Sequence, residues 1–187
     1  MLVKKNLVRY IYFISGEKNS GKTNFAKNLA SQLKKDGVNL SGIFTEKNID
    51  DTYYIVSMDQ VLQVPFAKKD KEDNWLKKNN FYFNPVAIRE GESYILESLK
   101  DKNEIILLDE IGPLEIGGEI WAPVVQKLLE SDIHLILVIR KNIIPLVINQ
   151  WRIHNFKLFD INQMDLGYVH ETIIGNIREQ EGKSMYH

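Results

Sequence analysis

Four side chains in this sequence have the types and spacing for phosphate chemistry: Lys22, Thr23, Asp109 and Glu110. The first two close the stretch Gly16-Glu17-Lys18-Asn19-Ser20-Gly21-Lys22-Thr23, which matches G-x-x-x-x-G-K-[S/T] at every fixed position. The glycines allow the backbone to wrap a phosphate chain with its N–H groups turned inward. A helix beginning near Gly21 adds its positive dipole end to that cradle. Lys22 would reach the β- and γ-phosphates, and the Thr23 hydroxyl would ligate Mg²⁺. The expected nucleotide-binding loop runs from Gly16 through Asn24. An ordinary strand–turn–helix junction is the alternative. Lys22 argues against it, because a cation in the first helical turn opposes the dipole unless an anion compensates.

Asp109 and Glu110 end the apolar run Glu104-Ile105-Ile106-Leu107-Leu108-Asp109-Glu110. A strand apolar on both faces belongs in the middle of a parallel sheet. Ligands of such sheets bind beyond the carboxyl ends of the strands. Asp109 is therefore expected to hold Mg²⁺ through water, and Glu110 to orient or deprotonate an attacking water. The two acids could instead cap the next element, but Ile111-Gly112-Pro113 follows where a helix would have to start. Arg89, Arg140 and Arg152 are candidates to neutralise charge on the γ-phosphate. Arg140 leads, since it falls where a parallel strand should end. Asn162-Gln163-Met164-Asp165 loosely echoes the guanine-reading N-K-x-D box without its lysine, and Asn or Asp before a helix is more often an N-cap.

The flanking elements must position these groups. Arg9-Tyr10-Ile11-Tyr12-Phe13-Ile14-Ser15 reads as a buried strand, and Phe25, Leu29 and Leu33, with Ala26 and Ala30, as an amphipathic helix stopped by Gly37. A second strand follows over residues 38–46, then an added β-hairpin of residues 52–58 and 61–66. The charged segment 68–73, continuing through Trp75, Lys77 and Lys78, reads as a solvated or mobile loop, and Phe81-Tyr82-Phe83 as a strand end stopped by Pro85. Helices are expected over 90–100, 121–130, 143–151 and 166–180, with strands over 104–110, 133–139 and 156–161. The alternation predicts one α/β domain over residues 1–187, a three-layer core with a mostly parallel sheet and helices on both faces.

Composition narrows the function classes. Hydrophobic residues make up 44% and charged residues 26%, with a formal net charge of −1, which gives no basic field for nucleic acid. The chain has no cysteine, so disulfides and thiolate sites are excluded and a cytoplasmic setting is expected. Lys4 and Lys5 before an apolar run suggest a secretory leader, but the run is broken by Arg9 and flows into the phosphate loop. No apolar window is long enough to span a membrane. The four histidines show no metal-ligand spacing, and no G-x-S-x-G elbow is present.

Asp109-Glu110-Ile111-Gly112-Pro113-Leu114-Glu115 resembles the D-E-I-G-x-M/L-E signature of the THEP-type (cancer-related) nucleoside-triphosphatases. Gly42-Ile43-Phe44-Thr45-Glu46 is similar to that family's G-F-x-T-x-E stretch. The resemblance implies a RecA-like P-loop core and slow Mg²⁺-dependent hydrolysis of ATP, GTP and other nucleoside triphosphates. It places phosphate and metal on Lys22 and Thr23, metal on Asp109 and water on Glu110, and leaves Glu115 without a role. The chain departs from the family pattern at Lys47-Asn48-Ile49-Asp50-Asp51, at Leu114 and at Arg140-Lys141. Catalytic work is thus expected of Lys22 and Glu110. Two other outputs share the same core: a small-molecule kinase, whose acceptor hydroxyl Glu110 would deprotonate, and a nucleotide-dependent switch acting on a protein partner that the sequence does not name.

Overall fold

In the computed structural model, residues 9–101 and 103–185 are described, with side chains through residue 179. The Lys4-Lys5 start lies outside these residues. β1 (Ile11–Gly16) is buried along its whole length and runs through the phosphate loop into α1 (Lys22–Lys35). Gly37, at φ +86°, ends that helix. The Val38 N–H bonds to the Leu33 carbonyl at 3.1 Å and the Gly37 N–H to the Lys34 carbonyl at 3.1 Å, the double bond pattern of a left-handed helix stop.

The chain continues through β2 (Leu40–Lys47), β3 (Tyr53–Ser57), β4 (Gln63–Lys68), β5 (Leu76–Lys78), β6 (Phe81–Phe83), α2 (Pro85–Ser98) and β7 (Ile105–Ile111). It closes with α3 (Pro113–Ile116), α4 (Ala122–Leu129), β8 (His134–Arg140), a 3₁₀ turn and α5 (Ile144–Trp151), β9 (Phe156–Asp160) and α6 (Leu166–Met185).

One sheet has the order β5-β6-β4-β3-β2-β7-β8-β1-β9. The ladders β2–β7, β7–β8, β8–β1 and β1–β9 are parallel. Those from β2 outward through β3, β4, β6 and β5 are antiparallel. Two apolar layers flank the parallel part, because alternate residues of its strands point to opposite faces. Phe13, Ile106, Leu108, Leu135 and Leu137 pack under α2, α4 and α5, while Tyr12, Ile14, Leu107, Ile136 and Val138 pack under α1 and α6. This is the three-layer α/β core expected from the alternation of elements.

Three local expectations need correction. The expected hairpin is present as β3 and β4, but β5 and β6 extend it. Lys77 pairs with Tyr82 where the charged loop was expected to stay irregular. Pro85 does not merely stop a strand: it is the first residue of α2, with Asn84 Oδ1 accepting from the Val86 N–H at 3.0 Å. A proline is preset for the first helical turn and loses no bond there. Finally, a short helix, α3, does begin directly after Gly112.

Candidate active site

The carboxyl ends of β1, β8, β7 and β2 open into a cavity of about 710 Å³. The phosphate loop curls over the end of β1. A Cβ at Gly16 would stand 2.6 Å from Ser20 Oγ and 3.0 Å from Ile161 Cγ1, so any larger residue would have to push those side chains aside. Residues 18–24 line the cavity, whereas Gly16 and Glu17 support it from outside. The Lys22 ammonium is buried and donates to the Glu17 carbonyl at 2.7 Å, which folds it back across the loop.

Asp109 is buried at the end of β7. Thr23 on α1 stands beside its carboxylate, and Thr45 on β2 holds it from the other side. The Thr45 hydroxyl donates to the Asp109 carbonyl at 2.7 Å, and the Thr45 N–H approaches the carboxylate at 3.4 Å. Burial pushes the Asp109 carboxyl up to about 7, and the neighbouring Glu110 adds to the rise. The Thr23 hydroxyl, the Thr45 N–H and the Lys22 charge oppose it.

Glu110 is set differently. Asp109 is in register with Val138 and Ile111 with Ile139, so Glu110 is the extra residue of a β-bulge. Bulges re-aim a side chain beside a site, and Glu110 lines the cavity. Its Oε1 lies 2.5 Å from Arg140 Nε at the end of β8. Glu115, left without a role by the sequence, is buried, and its Oε2 accepts from the Gly112 N–H at 2.8 Å. As the third residue of α3 it caps the helix start and fixes the turn that follows Glu110. Burial pushes its carboxyl up to about 7.

The other candidates separate. Arg89 on α2 and Arg152 after α5 are exposed and are not among the residues that line the cavity. The Asn162 amide groups are turned to Asp160 Oδ1, and Asp165 Oδ1 accepts from the Tyr168 N–H at 2.9 Å, capping α6. The expected guanine-box residues therefore serve local backbone. Sequence reasoning missed Thr45 as a partner of Asp109, and of the cavity's aromatic wall it singled out only Phe81 and Phe83, as part of a strand end. The signal for Thr45 was the family-like stretch Gly42-Ile43-Phe44-Thr45-Glu46, read without a role for the threonine and opened by Gly42. That glycine has φ +154°, and a Cβ there would sit 2.2 Å from the Leu107 carbonyl oxygen.

The donor set suits Mg²⁺. The Thr23 hydroxyl and the Asp109 carboxylate are hard oxygen groups lining the same cavity, and Mg²⁺ typically takes one or two protein oxygens with phosphate and water.

A strand, a glycine loop and a helix at β1, with an acid pair on β7 one strand removed, define a P-loop nucleotide-hydrolysing core. The family model described as NTPase matches residues 11–174, and the chain belongs to that family of nucleoside-triphosphatases. The Nucleoside-triphosphatase THEP1 of Thermotoga sp. (strain RQ2) is 23% identical over 174 residues, covering 91% of this chain and 97% of the relative. That of Methanocaldococcus jannaschii is 27% identical over 135 residues, covering 70% and 78%. Two solved structures share the fold. THEP1 from Aquifex aeolicus has a TM-score of 0.66 at 19% identity, over 85% of this chain and 96% of the other. A human cancer-related nucleoside triphosphatase has 0.68 at 15% identity, over 92% and 98%. The THEP-type resemblance of the sequence holds.

Proposed function

We propose that the chain hydrolyses ATP, GTP and related nucleoside triphosphates to the diphosphate and phosphate with Mg²⁺, through the residues gathered at this cavity. The observation that carries the reading is the convergence of Lys22, Thr23, Asp109, Glu110 and Arg140 on one opening. The loop N–H groups and Lys22 hold the phosphate chain, and Thr23 and Asp109 hold the metal. Bound there, Mg²⁺ would supply a Lewis acid that neutralises charge on the phosphate chain. Glu110 aligns a water with the γ-phosphorus and takes its proton. The bond from that phosphorus to the β–γ bridging oxygen breaks as the new P–O bond forms. Arg140 offsets charge on the γ-oxygens. Most of the acceleration is positioning and fixed charge, with no covalent intermediate required of the protein.

Among the described residues no helix is long and apolar enough to cross a membrane. A cytoplasmic setting, with ATP and GTP at hand, belongs to the same reading. The test is phosphate release from Mg²⁺-ATP and Mg²⁺-GTP by the wild type and Lys22→Ala. Loss of at least about a hundredfold in the variant is expected, because a fixed cation at the transferring phosphoryl group is removed. Unchanged release would contradict the assignment.

A further inference from the structure

The cavity has two ends of different chemistry. One is the phosphate loop with its acids. The other is walled by Tyr53, Phe66, Phe81, Phe83 and Trp121, with the exposed amides of Asn79 and Asn80 at the rim. Phe66 stacks on Trp121 at 5.4 Å between centroids and meets Phe83 edge-on at 5.3 Å, making a fixed back wall. Tyr53 and Phe81 meet edge-on at 5.7 Å, are half-buried, and present ring surface to the opening.

The strand order gives the two ends a direction. From β1 with its loop, the sheet passes Arg140 on β8, Asp109 and Glu110 on β7, and Thr45 and Glu46 on β2. Tyr53 on β3, Phe66 on β4 and Phe81 on β6 follow. In a P-loop site the loop amides cradle the α- and β-phosphates, and the metal ligands mark the β- and γ-phosphates. The aromatic end therefore lies beyond the γ-phosphate, away from the nucleoside of the bound triphosphate. Hydrolysis has no use for it, since water has no ring to stack.

We propose that this compartment binds a neutral, planar heteroaromatic alcohol of the nucleoside type as a phosphoryl acceptor. The ring stacks on Tyr53 and Phe81, and the Asn79 and Asn80 amides meet its polar edge. The hydroxyl takes the place of the water beside Glu110. In the transfer, the bond between the γ-phosphorus and the β–γ bridging oxygen breaks, and the diphosphate leaves with the electron pair. A bond forms from the acceptor oxygen to phosphorus, and the hydroxyl proton passes to Glu110. Charge favours a neutral acceptor: the lysines toward this end are already paired, Lys27 with Glu46 at 2.6 Å and Lys47 with Asp51, and Lys78 nearby with Glu119 at 2.6 Å, so none is left to hold a phosphate on the acceptor. The proposal rests on the same γ-phosphate end as the hydrolytic reading and adds a second substrate to it.

The test titrates the full chain, loaded with Mg²⁺ and a non-hydrolysable ATP analogue, with adenosine, guanosine, cytidine and thymidine by calorimetry. Parallel reactions with Mg²⁺-ATP are analysed for the nucleoside monophosphate. At least one nucleoside should bind with a Kd below about 1 mM and appear as its monophosphate. Tyr53→Ala and Phe81→Ala should each weaken that binding at least about tenfold, as loss of a stacking partner does. Tyr53→Leu and Phe81→Leu, which keep apolar volume, serve where alanine unfolds the chain. The analogue's own Kd, measured in each variant, reports the phosphate end separately. No binding by any nucleoside, binding insensitive to both aromatic positions, binding that competes with the analogue, or binding without phosphorylation would each overturn the proposal. Any of these with phosphate release intact and dependent on Lys22 would leave hydrolysis standing alone.

Discussion

Arg140 Nε lies 2.5 Å from Glu110 Oε1, joining the ends of two adjacent parallel strands. The side chains are 35% and 34% exposed, and a pair that open to water contributes about 1 kcal/mol or less to stability. Under the proposed mechanism its consequence is therefore catalytic. While the pair holds, the carboxylate that would align water is engaged by the cation that would meet the γ-phosphate. In the proposed mechanism an arriving triphosphate would offer Arg140 a denser charge and free Glu110.

Arg140→Ala should lower kcat by roughly two orders of magnitude, in the range of other electrostatic donors to a transferring phosphoryl group. Nucleotide affinity should move far less, and the melting temperature of the nucleotide-free protein should barely change. Arg140→Lys should recover little, since an ammonium lacks the planar fork. Steady-state kinetics with a parallel thermal melt separates these outcomes, and equal losses in affinity and rate would count against the scheme.

Asp109→Asn should act in opposite directions on stability and on metal use. Burial pushes the Asp109 carboxyl from 3.8 up to about 7, so its ionisation destabilises the nucleotide-free fold as pH rises through that range. The neutral variant should therefore melt higher than wild type at about pH 8, with the gap closing toward about pH 5. Its half-saturating Mg²⁺ concentration should rise about tenfold or more. A variant that melts lower at high pH would show that the carboxylate is stabilising there.

Glu115→Gln should disturb the turn after Glu110 in a pH-dependent way. The carboxyl is pushed from 4.5 up to about 7 by burial, so the stability it adds when protonated is present at low pH and lost as pH rises through about 7. Gln does not titrate. The variant's deficit relative to wild type should thus shrink by roughly 2–4 kcal/mol between about pH 4.5 and pH 8. Urea titrations at several pH values check it; a constant deficit would contradict the shift.

Gly42→Ala should cost more than about 3 kcal/mol, because a methyl group placed 2.2 Å from the Leu107 carbonyl forces β2 off β7. Thr45 would then lose its hold on Asp109, so any folded fraction should also need more Mg²⁺. Chemical denaturation and a Mg²⁺ titration measure the two effects.

What the sequence made legible is local. The phosphate loop, its strand and its helix lie within twenty-five consecutive residues (11–35), and each feature follows from nearest-neighbour chemistry. Asp109 and Glu110 were legible because a two-sided apolar run ends at them. The bulge at Glu110 depends on the register with β8, and the contact with Arg140 joins residues thirty positions apart, so neither has a local signature. β6 was read as the strand end Phe81-Tyr82-Phe83, but β5 was missed because three residues, Leu76-Lys77-Lys78, show no periodicity and only pairing with β6 orders them. The start of α2 was missed because Pro85 can end one element or open the next, and the Asn84 cap decides it.

Glu110→Gln is the most direct test of how the site works. The amide keeps the shape of the side chain but cannot take a proton from water. Phosphate release should fall by about 10²–10⁴-fold, the usual contribution of a general base, while Mg²⁺-ATP affinity stays near wild type in an equilibrium titration. Release at the wild-type rate with binding intact would mean that another group activates the water, and would contradict the role given to the bulged glutamate.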